Sequence, residues 1–226
     1  MKNFQSRLIG ITGGIATGKS TVSETLKDLG YVVICADEIV HEFYDTHHPL
    51  FPKLFKLFGK KFLKPDQGTV EEKTPDRSRT TAGDIFQQSH QILDRQKIAK
   101  AVFEDQNLKK KLEDLLHPEV RRQMEERTGL LSKQGHKIIF WDVPLLFESK
   151  MEALFEKILC VASSQENQIE RLKKRGVPLK EALRRVASQM SLREKIKKSH
   201  YILHNNRSKS ELKKKIKIVL KKIVIQ

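Results

Sequence analysis

The 226-residue chain has little of several things, and each shortage excludes something. It has two cysteines, Cys35 and Cys160. They show no metal-ligand spacing and make no disulfide framework, so a reducing, cytoplasmic setting is expected. No apolar run approaches the ~18–20 residues that a bilayer requires, so no membrane span is expected. The opening residues Met1–Gly14 lack the apolar core and small-residue cleavage site of a signal peptide. Aromatics are sparse in the C-terminal part, where Tyr201 is the only one after Phe155. That argues against a base-stacking platform for nucleic acid. Acidic residues are scarce there too. Residues 171–226 carry 19 Lys/Arg against 3 Asp/Glu, whereas residues 1–170 carry 25 of each. The net charge of +16 therefore sits entirely at the C-terminal end. It suits either an anionic partner or a solvated lysine-rich surface.

What is present is a globular balance, with 38% hydrophobic and 32% charged residues. The length allows one α/β domain with an inserted segment, or two small domains. Residues 7–12 (RLIGIT) read as a short buried strand. A helical pattern follows, with Val22, Leu26 and Leu29 on one face and Gly30 as its stop. Tyr31–Cys35 reads as a second strand. Residues 38–65 read as helical, 66–90 as a polar, turn-rich excursion, and 91–127 as two helices split near 105–107. Lys137–Pro144 and Lys157–Ala162 read as strands. Residues 165–198 are helical and basic, with a break at 176–178, and His200–Leu203 is a last strand. Residues 209–224 form an amphipathic helix with seven lysines. Strands alternating with helices predict an α/β parallel sheet covered on both faces.

The segment Gly13-Gly14-Ile15-Ala16-Thr17-Gly18-Lys19-Ser20 matches G-x-x-x-x-G-K-[ST], with a strand before it and a helix after it. Glycines let the backbone curl so that successive N–H groups face phosphate oxygens. The loop delivers those phosphates to a helix N-terminus, where unpaired amides and the dipole favour anions. Lys19 is placed to reach the β- and γ-phosphates. Ser20 offers a hydroxyl to Mg²⁺, and Thr21 adds a contact to the α-phosphate. A GTPase would show N-K-x-D, which is missing, and the chain is small for an ATPase machine. A small-molecule kinase is the leading reading.

Further segments carry a resemblance. Ile9–Thr21, Leu29–Asp37, Leu93–Phe103, LLHPEV (Leu115–Val120), DVPLLFE (Asp142–Glu148), RRVASQ (Arg184–Gln189) and ILHNN (Ile202–Asn206) together resemble the dephospho-CoA kinase family of P-loop kinases. The resemblance implies transfer of phosphate from ATP to the ribose 3′-hydroxyl of dephospho-CoA, giving CoA and ADP. It also implies a five-stranded parallel P-loop core (residues 1–37, 129–165 and 199–226), a helical substrate domain (38–128) and a lid (166–198). The chain departs from the family pattern in three places. Cys35-Ala36-Asp37 stands where the family has D-A-D. The turn at 199–207 lacks the family's acids and glycine. Residues 69–90 are an insertion.

The resemblance gives roles, each beside a plainer one. Asp37 follows the end of a parallel strand, where ligands bind in open α/β sheets. It is either the base that takes the 3′-hydroxyl proton or a helix N-cap. Asp142 ends the third strand, as a water-mediated Mg²⁺ or substrate ligand or as a turn carboxylate. Arg175 and Arg171 precede the 176–178 break, as lid arginines for the γ-phosphate or as surface charge. Arg95 suits the acceptor's pyrophosphate, and His117 either contacts substrate or packs. Phe51, Phe55 and Phe58 read as core. The expected ATP-site residues are Gly14, Ile15, Ala16, Thr17, Gly18, Lys19, Ser20 and Thr21, with ATP as co-substrate and Mg²⁺ at Ser20 and Asp142. A nucleoside or nucleotide kinase and a basic nucleic-acid-binding regulator are the competing readings.

Overall fold

The computed structural model describes residues 5–64 and 92–225. Contacts divide the chain into two compact units, one of residues 1–36 and 122–226, the other of 37–121. The first unit holds five strands: β1 (Arg7–Gly13), β2 (Val32–Cys35), β3 (Ile138–Asp142), β4 (Lys157–Ala162) and β5 (Tyr201–His204). They form one parallel sheet in the order β2-β3-β1-β4-β5. Nearly every residue of β1 and β4 is buried, as strands covered on both faces require.

One face of the sheet packs beneath two helices, α1 (Lys19–Asp28) and the C-terminal helix Lys209–Ile225. Ile9, Ile11, Phe140, Leu159 and Val161 meet Val22 and Leu26 of α1 and Leu212, Ile216, Leu220 and Ile223 of the terminal helix. The other face shows why β1 contains Gly10. A Cβ there would lie 2.7 Å from Leu146 and 3.0 Å from the Phe155 ring. Trp141 stands edge-on to Phe155 at 5.5 Å and donates its indole N–H to Thr128 Oγ1 at 2.8 Å.

The second unit contains α2 (Ala36–Glu42, entered from β2), α3 (Phe51–Phe58), a 3-10 turn at Lys60–Phe62, α4 (Arg95–Glu104) and the first half of α5 (Gln106–Lys133). Asp94 caps α4 by accepting from the amides of Gln96 and Lys97. Phe43, Phe51, Leu54, Phe58, Leu93 and Ile98 are buried. Phe51 stacks on the half-buried Phe55, so the phenylalanine cluster is core.

Two expectations need correction. The helical reading of 38–65 is interrupted: α2 ends at Glu42 and α3 starts at Phe51. Pro52 sits in the first turn of α3, where its missing N–H costs nothing. The 165–198 stretch breaks twice, giving α6 (Gln165–Lys174), α7 (Leu179–Ala187) and α8 (Leu192–Lys197). The second break, at residues 188–191, ends where Ser191 caps α8. The polar excursion at 66–90 lies outside the described residues.

Candidate active site

The phosphate-type loop runs from the end of β1 into α1, and each of its glycines is explained by a neighbour. A Cβ on Gly13 would lie 2.4 Å from the carbonyl oxygen of Val161 in β4. One on Gly14 would meet Gln168 Oε1 at 3.0 Å. Gly18 has φ +94°, the left-handed region, and a Cβ there would sit 2.1 Å from Asn205 Nδ2. Ala16 also takes positive φ (56°), a strained state that alanine holds only where its surroundings impose it. The loop is closed by Thr17, whose hydroxyl donates to Gly14 O at 2.9 Å.

Helix α1 opens without a side-chain cap and without acid in its first turn. Its leading amides are thus left for an anion, and no carboxylate competes. Lys19 and Ser20 are its first two residues, and Ser20 is exposed. The Lys19 ammonium donates to Asp142 Oδ1 and forms an ion pair with that carboxylate. Ser23 donates to Asp142 Oδ2 at 2.6 Å. Asp142 is the last residue of β3, beside Ile11 of β1 and Cys35 of β2 in the register, and its side chain is 4% exposed. Both oxygens of this buried carboxylate thus accept a hydrogen bond, and the one from Lys19 stations the lysine beside the loop.

Two segments from later in the chain brace the loop. From α6, Arg171 donates to Ala16 O at 3.1 Å and to Asn205 O at 2.8 Å. After β5, Asn205 donates its side-chain N–H to Thr17 O at 2.8 Å, and its backbone N–H bonds Ala162 O at 2.7 Å. Gln189 Oε1, from the break between α7 and α8, accepts the Ile15 N–H at 2.9 Å. Asn206 accepts from Ser163 and Ser164, which ties the same turn to the start of α6.

Gly14 to Thr21, Lys19, Asp142 and Arg171 thus come together in the first unit. Arg175 lies exposed at the C-cap of α6. Asp37 stands in the first turn of α2, two residues beyond the end of β2, so it is not the helix N-cap. Arg95 opens α4 with its guanidinium 5.9 Å from the centre of the Tyr44 ring, and burial pushes the Tyr44 phenol up. His117 is exposed on α5. These last three belong to the second unit. Cys160 is buried, and burial raises its thiol to about 11.

Asn205 and Gln189 lie within the ILHNN and RRVASQ segments, but neither they nor Ser23 carries a local sequence signal of these contacts. Among the described residues no group of three His, Cys, Asp or Glu could hold a metal ion, and no helix is long and apolar enough to cross a membrane.

A family model described as dephospho-CoA kinase matches residues 7–79 and 77–211. A dephospho-CoA kinase of Bacillus cereus is 34% identical over 215 residues, covering 95% of this chain and 96% of its own. One from Carboxydothermus hydrogenoformans is 35% identical over 216 residues, covering 95% and 93%. Among solved structures, TT1252 from Thermus thermophilus superposes with a TM-score of 0.70 at 31% identity, covering 96% of this chain and 97% of its own. A dephospho-CoA kinase from Campylobacter jejuni gives 0.59 at 26%, covering 97% and 98%. The chain belongs to the dephospho-CoA kinase family.

Proposed function

We propose that the chain phosphorylates the ribose 3′-hydroxyl of dephospho-CoA with ATP, giving CoA and ADP, the last step of coenzyme A synthesis. The observation that carries this reading is the uncapped N-terminus of α1, preceded by a glycine loop that its neighbours hold open and flanked by the Lys19–Asp142 pair. Family membership supplies the acceptor.

The triphosphate lies along the loop from Gly14 to Thr21 and on the leading amides of α1, with Lys19 exchanging its Asp142 partner for phosphate oxygens. The acceptor's 3′-oxygen attacks the γ-phosphorus in line. Asp37 takes the hydroxyl proton, the bond from the γ-phosphorus to the bridging oxygen breaks, and ADP leaves. Arg175 and Arg171, on a lid spanning 166–198, neutralise charge that spreads over the transferring oxygens. Arg95 and His117 hold the acceptor within 38–128, Arg95 at its pyrophosphate and Asp142 as a further substrate contact. Ser20 and Asp142 are hard oxygen donors, too few to cage an ion alone. They fit a Mg²⁺ that keeps water and phosphate as its other ligands, Asp142 acting through water. That ion supplies charge neutralisation at the β- and γ-phosphates. A cytoplasmic setting goes with this reading.

A coupled ADP-release assay tests it. Dephospho-CoA should be turned over far faster than adenosine or nucleoside monophosphates, and turnover should stop when Mg²⁺ is chelated. Faster turnover of a nucleoside would replace the proposed acceptor.

A further inference from the structure

Behind the loop lies a polar cluster that the reaction does not use. Lys195 of α8 is fully buried, with 0% side-chain exposure. Its ammonium donates to Pro144 O at 2.8 Å and pairs with Glu148 Oε1 at 2.8 Å. Thr12 of β1 donates to the same Pro144 carbonyl at 3.1 Å. Glu148 Oε1 also accepts the Met190 N–H at 3.0 Å, while its other oxygen, Oε2, is buried with no hydrogen-bond partner. Met190 follows Gln189, the residue that holds Ile15 of the phosphate loop.

Stability alone is a poor account of this arrangement. With Lys195 fully buried and the Glu148 side chain 24% exposed, the pair loses in desolvation much of what it gains, and a well-packed apolar pair serves as well. The unpaired carboxylate oxygen adds a further cost. What an apolar pair could not do is grip two backbone groups at once. Here the grip falls on Pro144, two residues after Asp142, and on Met190, one residue after Gln189. The pair therefore joins the end of β3 to the segment that touches the loop.

We infer that Lys195 and Glu148 are positioning residues, which act through Gln189 and the Asp142–Pro144 segment to hold the phosphate loop in its nucleotide-receiving shape. The inference rests on the reading of the loop as an ATP site. It does not depend on the acceptor.

The test is a double-mutant cycle read as the Kd for ATP, measured by calorimetry without acceptor. Glu148→Gln removes the charge and keeps the shape, and Gln189→Ala removes the side chain that meets Ile15. Each is expected to weaken ATP binding by on the order of 10-fold, the scale of one lost charge-assisted contact. The double variant is expected to be no weaker than the worse single, because both act through one link. Lys195→Arg, which keeps charge and donors, is expected to bind ATP more tightly than Lys195→Met. If Glu148→Gln fails to fold, Lys195→Met takes its place in the cycle with the same expectation. Losses that multiply, or an ATP affinity that Gln189→Ala leaves unchanged, would overturn the inference. A wild-type protein that binds ATP yet leaves dephospho-CoA untouched would defeat the proposed acceptor and leave this cycle readable.

Discussion

Replacing Gly18 with alanine separates backbone strain from steric conflict at the phosphate loop. Gly18 has φ 94° and ψ 25°, which costs an L-residue roughly 1–2 kcal/mol. The new Cβ would also lie 2.1 Å from Asn205 Nδ2, so one of the two must move. Asn205 is poorly free to do so. It is buried, and its N–H bonds Thr17 O at 2.8 Å. Breaking that bond leaves a buried carbonyl unpaired, at about 1–3 kcal/mol. The substitution should therefore destabilise the fold by roughly 2–5 kcal/mol. With a urea slope of ~2 kcal/mol/M, the midpoint should fall by ~1–2.5 M. Trp141, the single tryptophan, is buried in β3 of the same unit and reports the transition by fluorescence. In an Asn205→Ala background the conflict is gone, and the same alanine should cost only the strain of about 1–2 kcal/mol. A Gly18→Ala protein within ~0.5 kcal/mol of the parent, or an equal cost in both backgrounds, would refute the reasoning.

Asp37→Asn should lower kcat by on the order of 10²–10⁴ while ATP affinity stays close to the parent's, and unchanged turnover would remove the base role. Lys19→Ala should cost about 10²–10³ in kcat, with a weaker KM for ATP, both read in the same coupled assay. Cys160, with its thiol raised to about 11 by burial, should resist alkylation at neutral pH until the protein unfolds, and peptide mapping of the labelled native protein checks this. The Arg7 guanidinium holds the Glu156 carboxyl below its ordinary range, chiefly through their hydrogen bond. That stability is present above the ordinary carboxylate range and is lost as pH falls through the lowered value. Because Glu156 is 41% exposed, Glu156→Gln should cost only ~0.2–1 kcal/mol at pH 7. In urea titrations the difference should shrink as pH falls below the ordinary carboxylate range and vanish only once it has passed the lowered value.

The strands and the phosphate loop were legible because their signals are local. RLIGIT and KILCVA are short apolar, β-branched-rich runs bounded by turns. The loop's glycines, lysine and serine sit within eight positions. The break before α8 carried a local signal too, which the helical reading passed over. Ser191 donates to Glu194 Oε2 at 2.7 Å and accepts the Glu194 N–H at 3.2 Å, a capping box. The braces around the loop were not legible, because they join residues far apart in the chain. Nothing in a lysine-rich stretch marks Lys195 as the one that is fully buried, or Asn205 as the one that touches Gly18. Asp142 was legible only as the end of a strand, and its pairing with Lys19 spans 123 positions.

The strand that feeds the loop lies in the middle of the sheet, paired on both sides. Its amides cannot exchange with solvent by fraying, as those of the outermost strands can, and should be among the slowest to take up deuterium. The root of the phosphate-type loop is thus anchored in the part of the molecule that yields last.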